Sequence, residues 1–218
     1  EEVTTPNINA IAQNGVELDR FYVNPSCSPT RASLLTGYFS ITHGITNPIQ
    51  WQSPEGLPIH WQTMPQYLKL AGYQTHLVGK WHLGSANVSY WPQNRGFDSF
   101  YGNLNGGVGY FDHIFSGGLD WQKNNKTLRE SGYTTDLIAT AATEIISNHP
   151  GKATPLFLMV SFNAIHLPIQ EPASERASNQ GRETLVRMIS ALDQAVGQII
   201  ETTLDQKWGN NTLIFFAS

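Results

Sequence analysis

The lone cysteine of the chain, Cys27, has neighbours that favour chemistry over simple packing. It is the only cysteine among the 218 residues, so it has no disulfide partner within the chain. It begins the segment C-S-P-T-R, which reads as the first turn of a helix because proline is tolerated there. The positive end of that helix, together with Arg31, would stabilise a thiolate. A lone cysteine is otherwise a small buried apolar residue, so both interpretations stand at this point.

Lys80 and His82 form a second group of residues suited to chemistry. They belong to G-K-W-H-L-G, residues 79–84, directly after a predicted strand at 73–78. Ligands of α/β proteins gather beyond the carboxyl ends of strands, and residues two apart on extended backbone point the same way. The alternative is an exposed lysine beside a hydrogen-bonded structural histidine.

A further histidine, His166, also follows a predicted strand. Residues 156–162 read L-F-L-M-V-S-F, an almost wholly apolar run that is typical of a strand covered on both faces. The segment N-A-I-H-L-P follows and places His166 just past the strand end. Cys27, Lys80, His82 and His166 each follow a predicted strand, which is where α/β proteins bind their ligands.

Helices and strands alternate along the chain and would position these residues. The sequence predicts helices at 6–14, 63–71, 133–148 and 182–203, and strands at 16–23, 73–78, 156–162 and 212–216. This alternation indicates an α/β domain with a mixed, largely parallel central sheet and helices on both faces. The glycine-rich segment 102–118 reads as a loop over the cleft, in which Asp112 or His113 either contacts substrate or is simply solvated.

The composition is that of a globular domain and argues against two classes of partner. Hydrophobic residues make up 40% of the chain, and the formal net charge is −4. No basic run suggests nucleic acid, and no apolar run is long enough to span a bilayer. We therefore expect neither a nucleic-acid partner nor a membrane span.

Three segments of the chain resemble signatures of the sulfatase family. C-S-P-T-R, followed by L-L-T-G at 34–37, resembles the C-x-P-x-R signature. Residues 72–84 resemble the second signature, G-Y-x-T-x-x-x-G-K-W-H-x-G, without a departure. H-L-P at 166–168 is similar to a His-x-Pro that follows a core strand in the family. The resemblance is to formylglycine-dependent sulfatases of the arylsulfatase B-like branch.

The resemblance implies the alkaline-phosphatase-like α/β/α sandwich, truncated at both ends. Residues 1–218 are then part of the N-terminal catalytic sulfatase domain, without its first strand and its C-terminal portion. The family binds Ca²⁺, or Mg²⁺ in some members, through oxygen ligands. Two acidic ligands would precede Glu1 and an Asp-Asn pair would follow Ser218. Cys27 in its modified form would then be the metal ligand that the chain itself supplies.

The resemblance also implies a role for each of five residues. Cys27 would be converted to formylglycine, whose hydrate attacks the sulfur atom and later expels sulfate. Lys80 would hold the sulfate group, and His166 would contact that group or protonate the leaving oxygen. His82 would hold the hydrate and assist the release of sulfate, while Arg31 would stabilise the hydrate and its loop.

The implied function is hydrolysis of an aryl or carbohydrate sulfate, and sulfated sugars are the expected substrates. A formylglycine-generating enzyme would modify Cys27, and the location would be extracytoplasmic: periplasmic, secreted or lysosomal. We expect the 218-residue chain by itself to be inactive.

Three alternatives remain: a formylglycine-dependent phosphonate or phosphodiester hydrolase, a thiol hydrolase that pairs Cys27 with a histidine, and a non-catalytic module that binds sulfated glycans. Five aromatic residues stack on sugar rings or belong to the core, namely Trp51, Trp61, Trp91, Tyr110 and Trp121.

Overall fold

Two sheets form in the computed structural model, which describes residues 3–151, 154–172 and 181–218. The strands are β1 (Gln74–Gly79), β2 (Ser99–Gly102), β3 (Ile114–Phe115), β4 (Gly118–Leu119), β5 (Gln122–Lys123), β6 (Lys126–Thr127) and β7 (Leu156–Ser161). The central sheet has the order β6-β5-β2-β1-β7, and β3 and β4 form a separate hairpin. β1 runs parallel to both β2 and β7, while β5 is antiparallel to β2 and β6. The predicted mixed α/β sheet is confirmed.

Helices in the described part of the chain pack around this sheet. They are α1 (Pro6–Gln13), α2 (Cys27–Thr36), α3 (Ser40–His43), α4 (Met64–Leu70), α5 (Thr134–Asn148) and α6 (Arg182–Leu204). The four helices predicted from periodicity form within one residue of their expected ends. None of the helices described here combines the length and the apolar character that crossing a membrane requires.

The ends of α4 show why the helix limits were predictable. The main-chain N–H of Thr63 donates to Oε1 of Gln66 at 2.9 Å, which is one half of a capping box. At the other end Gly72 has a φ of +89°, a left-handed conformation that glycine adopts without a steric cost. Both signals can be read from the residue types alone.

The central sheet separates two apolar clusters. Neighbouring residues of a strand point to opposite faces, so Leu77 and Val78 enter different clusters. Leu77 shares its cluster with Leu35 of α2, whereas Val78 shares its cluster with Ile138 of α5. The sheet therefore lies between two helical layers, as expected for an α/β/α arrangement.

Two predicted strands are not formed. Residues 16–23 and 212–216 pair with no strand in the described ranges. The rings of Phe21 and Phe215 meet edge to face with centroids 5.8 Å apart, so the two segments are neighbours. Val16 is 85% exposed. A strand needs partners for its N–H and C=O groups, and apolar sequence alone does not supply them.

The strand predicted at 156–162 forms as β7, and both of its faces pack against the core: Phe157 and Met159 lie against the cluster that holds Leu77, and Leu158 and Val160 lie against the cluster that holds Val78. The cover is incomplete, because Leu156 to Val160 are half-buried and Ser161 is the one fully buried residue of β7. The reason is its place in the described sheet, where β7 is the outermost strand and pairs with β1 on one side.

Candidate active site

Three strands of the sheet end so close together that only glycine fits between them. A Cβ atom on Gly79 would lie 1.9 Å from the carbonyl oxygen of Ser161. A Cβ atom on Gly102 would lie 2.1 Å from the carbonyl oxygen of Gly79. The ends of β1, β2 and β7 therefore form one compact edge, and the residues that follow each strand emerge from it.

Arg31 ties the start of α2 to this edge. Its Nε donates to the carbonyl oxygen of Trp81 at 2.6 Å, its Nη1 donates to Oγ of Ser161 at 2.8 Å, and its Nη2 donates to the carbonyl oxygen of Lys80. Burial lowers the pKa of the Arg31 guanidinium to about 10, and attraction to the charge of Cys27 opposes that change. Arg31 therefore stays charged at neutral pH and lies within electrostatic reach of Cys27.

Lys80 is a buried cation that pairs with no carboxylate in the part of the chain that the structure describes. Its residue is only 6% exposed, and its main-chain N–H donates to the carbonyl oxygen of Ser161 at 2.8 Å. Burial lowers the pKa of Lys80 to about 8; the charge of Cys27 raises it, and repulsion from Arg31 lowers it further. Because an uncompensated buried charge is costly, this position favours a bound anion.

His82 is held as a neutral imidazole. Its main-chain N–H donates to the carbonyl oxygen of Leu104 at 3.0 Å, and its Nε2 lies 3.0 Å from the carbonyl oxygen of Ile49. A carbonyl only accepts, so this contact assigns the proton to Nε2 and a lone pair to Nδ1. Nδ1 is buried and meets no partner among the described residues. Burial, followed by repulsion from Lys80, lowers the pKa of His82 to about 3.

His166 lies in the loop after β7 with an exposed ring. Its Nδ1 lies 2.8 Å from the carbonyl oxygen of Leu167, and its main-chain N–H donates to the carbonyl oxygen of Asn163 at 2.8 Å. Repulsion from His166 is one of the causes that lower the pKa of His82, so the two imidazoles are electrostatic neighbours.

The structure thus gathers the five candidate residues into one region. Cys27 is the first residue of α2 and is half-buried. Cys27 lies within electrostatic reach of Arg31 and Lys80, and His82 lies within electrostatic reach of Lys80, Arg31 and His166. A half-buried thiol position, two cations and two imidazoles can together bind an anion and move protons.

Two residues of this region were missed by the sequence analysis. Ser161 accepts from Arg31 through its hydroxyl, and its carbonyl accepts from Lys80. The carbonyl of Ile49 accepts from His82, while its main-chain N–H donates to Oγ of Ser28 at 3.1 Å. Three of these four contacts use main-chain atoms of Ser161 or Ile49, so residue type carries no signal for them.

The segment after β2 supplies one buried and one exposed side chain at the positions considered for substrate contact. His113 is fully buried, stacks on Trp121 with ring centroids 4.6 Å apart, and has its Nε2 3.1 Å from the carbonyl oxygen of Gly132. Asp112 is exposed, and its carboxylate accepts from the main-chain N–H of Ile114. The interpretation in which His113 contacts the substrate is therefore wrong, because packing on Trp121 buries the ring.

The five aromatic candidates also separate by burial. Tyr110 and Trp121 belong to the core, and Trp61 and Trp91 are half-buried against it. Trp51 is 45% exposed, two residues beyond Ile49. Trp51 is thus the member of this set with most surface free for a ligand.

The described residues do not fit the divalent cation that the sequence resemblance implies. No group of three or more His, Cys, Asp or Glu residues within the described ranges could hold a metal ion. The charged groups that surround Cys27 are the cations Arg31 and Lys80, which repel Ca²⁺ or Mg²⁺.

The fold and the site define a class: α/β proteins with an anion site at the carboxyl ends of parallel strands. The model of the sulfatase family matches residues 1–218. The chain belongs to the sulfatase family.

Curated relatives carry sulfatase names. Mouse arylsulfatase J is 34% identical over 235 residues, which cover 100% of this chain and 38% of the relative. Mouse N-acetylgalactosamine-6-sulfatase is 30% identical over 240 residues, which cover 98% of this chain and 45% of the relative. The chain therefore spans less than half the length of these two relatives.

Solved structures agree in fold. Ps i-CgsB in complex with k-i-k-neocarrahexaose has a TM-score of 0.83 at 29% identity, covering 94% of this chain and 50% of that one. BT4656 in complex with its substrate D-glucosamine-2-N,6-O-disulfate has a TM-score of 0.63 at 34% identity, and the match covers 78% of this chain and 31% of that one. A Vibrio parahaemolyticus protein of the alkaline phosphatase superfamily has a TM-score of 0.57 at 18% identity, and the match covers 94% of this chain and 45% of that one. The expected alkaline-phosphatase-like fold is confirmed.

Proposed function

We propose that the protein containing this chain is a sulfuric ester hydrolase that releases sulfate from a sulfated carbohydrate or an aryl sulfate. The observation that supports this most strongly is the buried residue Lys80, which pairs with no carboxylate in the described part of the chain and lies within electrostatic reach of Cys27. A sulfate ester is a singly charged anion, and it would supply the missing charge.

The nucleophile in this proposal comes from Cys27 after conversion to formylglycine. The hydrated aldehyde supplies one hydroxyl group that attacks sulfur and a second that loses its proton, so that sulfate leaves and the aldehyde returns. The place of Cys27 at the first turn of α2 suits this role, because the helix N-terminus favours negative charge that develops there.

Lys80 and Arg31 have different roles, one in binding sulfate and the other in positioning α2. Lys80 contacts the non-bridging oxygens of the sulfate group and neutralises charge as the bond to the leaving oxygen breaks. Arg31 has its Nε, Nη1 and Nη2 atoms engaged with the ends of β1 and β7, so its main role is to hold the start of α2 against Lys80. Its positive charge still stabilises the hydrate of the modified Cys27.

The two histidines have opposite proton roles. His82 is neutral with a free lone pair on Nδ1, so it is suited to accept a proton when sulfate is expelled. His166 has an exposed ring after β7 and is suited to contact the sulfate group or to donate a proton to the leaving oxygen.

A sulfated sugar is the substrate class that we propose. Two structural neighbours were solved with carbohydrates, one of them a disulfated glucosamine named as that protein's substrate. The exposed Trp51 offers a face on which a sugar ring can stack. Maturation by a formylglycine-generating enzyme and an extracytoplasmic location belong to the same proposal, as does Ca²⁺ held by residues other than those described.

The test compares an aryl sulfate with an aryl phosphate diester as substrates of the full-length protein. Faster turnover of the sulfate supports the proposal, whereas faster turnover of the diester favours a phosphodiesterase. Binding of a sulfated glycan without any sulfate release would instead identify a binding module. Mass spectrometry of the peptide that holds Cys27 separates formylglycine from a thiol, and an intact thiol in an active protein would favour a thiol hydrolase.

A further inference from the structure

Two adjacent glycines lie directly against the imidazole rings of the candidate site. A Cβ atom on Gly106 would lie 2.7 Å from Cε1 and 2.9 Å from Nε2 of His82. A Cβ atom on Gly107 would lie 3.0 Å from Nδ1 and 3.2 Å from Cε1 of His166. Real Cβ atoms essentially never approach closer than 3.0 Å, so even a methyl group at Gly106 cannot coexist with the present ring position.

Backbone conformation does not explain these glycines. Neither Gly106 nor Gly107 has a positive φ, in contrast to Gly102 at the end of β2, whose φ is +142°. An alanine at either position is therefore compatible with the backbone. The ring of His82 excludes a side chain at Gly106, whereas a Cβ atom at Gly107 would crowd the ring of His166 and lie 3.3 Å from the carbonyl oxygen of Leu167.

The two rings differ in their freedom to move away. His82 is 7% exposed, its main-chain N–H is bonded to Leu104, and its Nε2 contacts the carbonyl of Ile49. His166 is exposed, and its Nδ1 contacts only the carbonyl of the next residue, Leu167, among the described residues. A group added at Gly106 must therefore displace a fixed ring, whereas one added at Gly107 meets a ring that can rotate.

We propose that Gly106 and Gly107 are positioning residues, whose bare backbone sets the places of the His82 and His166 rings relative to Lys80 and Cys27. The inference rests on the proposed sulfate ester hydrolysis. It assigns a task to two residues that lie outside the three sulfatase signatures, in a segment that the sequence presents as a loop.

Kinetics of three glycine-to-alanine variants of the full-length protein test this inference. Gly118→Ala is the matched control, because its Cβ would meet nothing closer than 3.8 Å and its φ is not positive. We expect Gly106→Ala to lower kcat by about 100-fold, the scale of a small misplacement of a catalytic group. KM should change little, because Lys80 stays in place. Gly107→Ala should lower kcat by a smaller factor, and Gly118→Ala should leave kcat unchanged. A kcat for Gly106→Ala within about twofold of the parent would overturn the inference.

A double-variant cycle separates ring contact from general destabilisation. Gly106→Ala should lower Tm by at least about 2 °C in the parent but not in a His82→Ala background, where the methyl group fills vacated space. Equal losses in both backgrounds would contradict the ring contact. The cycle is read in Tm, so it decides about Gly106 even if the parent releases no sulfate and the proposed function fails.

Discussion

Nε of Arg31 donates a 2.6 Å hydrogen bond to the carbonyl oxygen of Trp81, 50 residues further along the chain. The same guanidinium donates to Oγ of Ser161 at the end of β7. One side chain thereby connects α2, which begins at Cys27, to two strands of the central sheet. The distance between Cys27 and Lys80 consequently depends on Arg31.

Replacing Arg31 by lysine should destabilise the protein and reduce activity together. Lysine carries its donors on one nitrogen and cannot reproduce the forked contacts of a guanidinium. Acceptors at the ends of β1 and β7 would then be left unpaired, so we expect the free energy of unfolding to fall by at least about 2 kcal/mol. Urea denaturation measures it.

The matched control for that variant is Arg129→Lys, which changes an exposed arginine. It should alter the free energy of unfolding by no more than about 0.5 kcal/mol. If the variants at Arg31 and Arg129 proved equally mild, Arg31 would not be the tie described above.

Anion binding should weaken as the pH rises through the pKa of Lys80, which is about 8. A lysine is charged below its pKa and neutral above it, and only the charged form attracts a sulfate ester. KM should therefore rise by up to about tenfold per pH unit above that point. Lys80→Arg keeps its charge and should give a flatter profile. A parent KM that stays constant to about pH 10 would contradict this assignment.

His82 should make the protein less stable as the pH falls. Its folded-state pKa is about 3, below the ordinary 6.5, so between these values the unfolded chain binds more protons. Stability conferred by His82 is therefore fully present above pH 6.5 and is lost as the pH falls toward 3. Thermal unfolding across this range should be less pH-dependent in His82→Gln than in the parent. His60→Gln, which replaces an exposed histidine in place of a buried one, is the control.

Trp51→Ala should affect a sulfated oligosaccharide more than a small aryl sulfate. Loss of an aromatic stacking surface costs about 0.5–1.5 kcal/mol, so KM for the oligosaccharide should rise by about two- to tenfold. KM for the aryl sulfate should stay unchanged, because that substrate has no sugar ring to stack on Trp51. Tyr67→Ala removes an aromatic residue that is 57% exposed on α4 and serves as the control. Equal effects of Trp51→Ala on both substrates would argue against a sugar-stacking role.

The sequence predicted the limits of four helices, and it predicted that Lys80 and His82 follow a strand and that Cys27 begins a helix. The capping signals at Thr63 and Gly72 depend on local residue types, and so do the glycines that bracket Lys80. The sequence was less informative about which segments pair as strands. The apolar segments 16–23 and 212–216 form no strand in the described structure, while β2, only four residues long, is central to the sheet. Strand formation depends on distant partners, which local pattern does not reveal.

The contacts that complete the site were not predictable for a similar reason. The carbonyl of Ile49 fixes the tautomer of His82, and the bare backbone of Gly106 meets the same ring. Main-chain atoms are common to all residues, so no residue type marks such contacts. These contacts form only in the folded protein, where the loops after β1 and β2 lie side by side.

Sulfate release by the full-length protein and its Cys27→Ala variant, with mass spectrometry of the peptide that holds Cys27, tests the account most directly. We expect the parent to release sulfate and this peptide to show the mass loss of a thiol replaced by an aldehyde. We further expect Cys27→Ala to lower kcat by more than about 1,000-fold, as for loss of a nucleophile. An active parent with an unmodified thiol, or a variant within about tenfold of the parent, would contradict it.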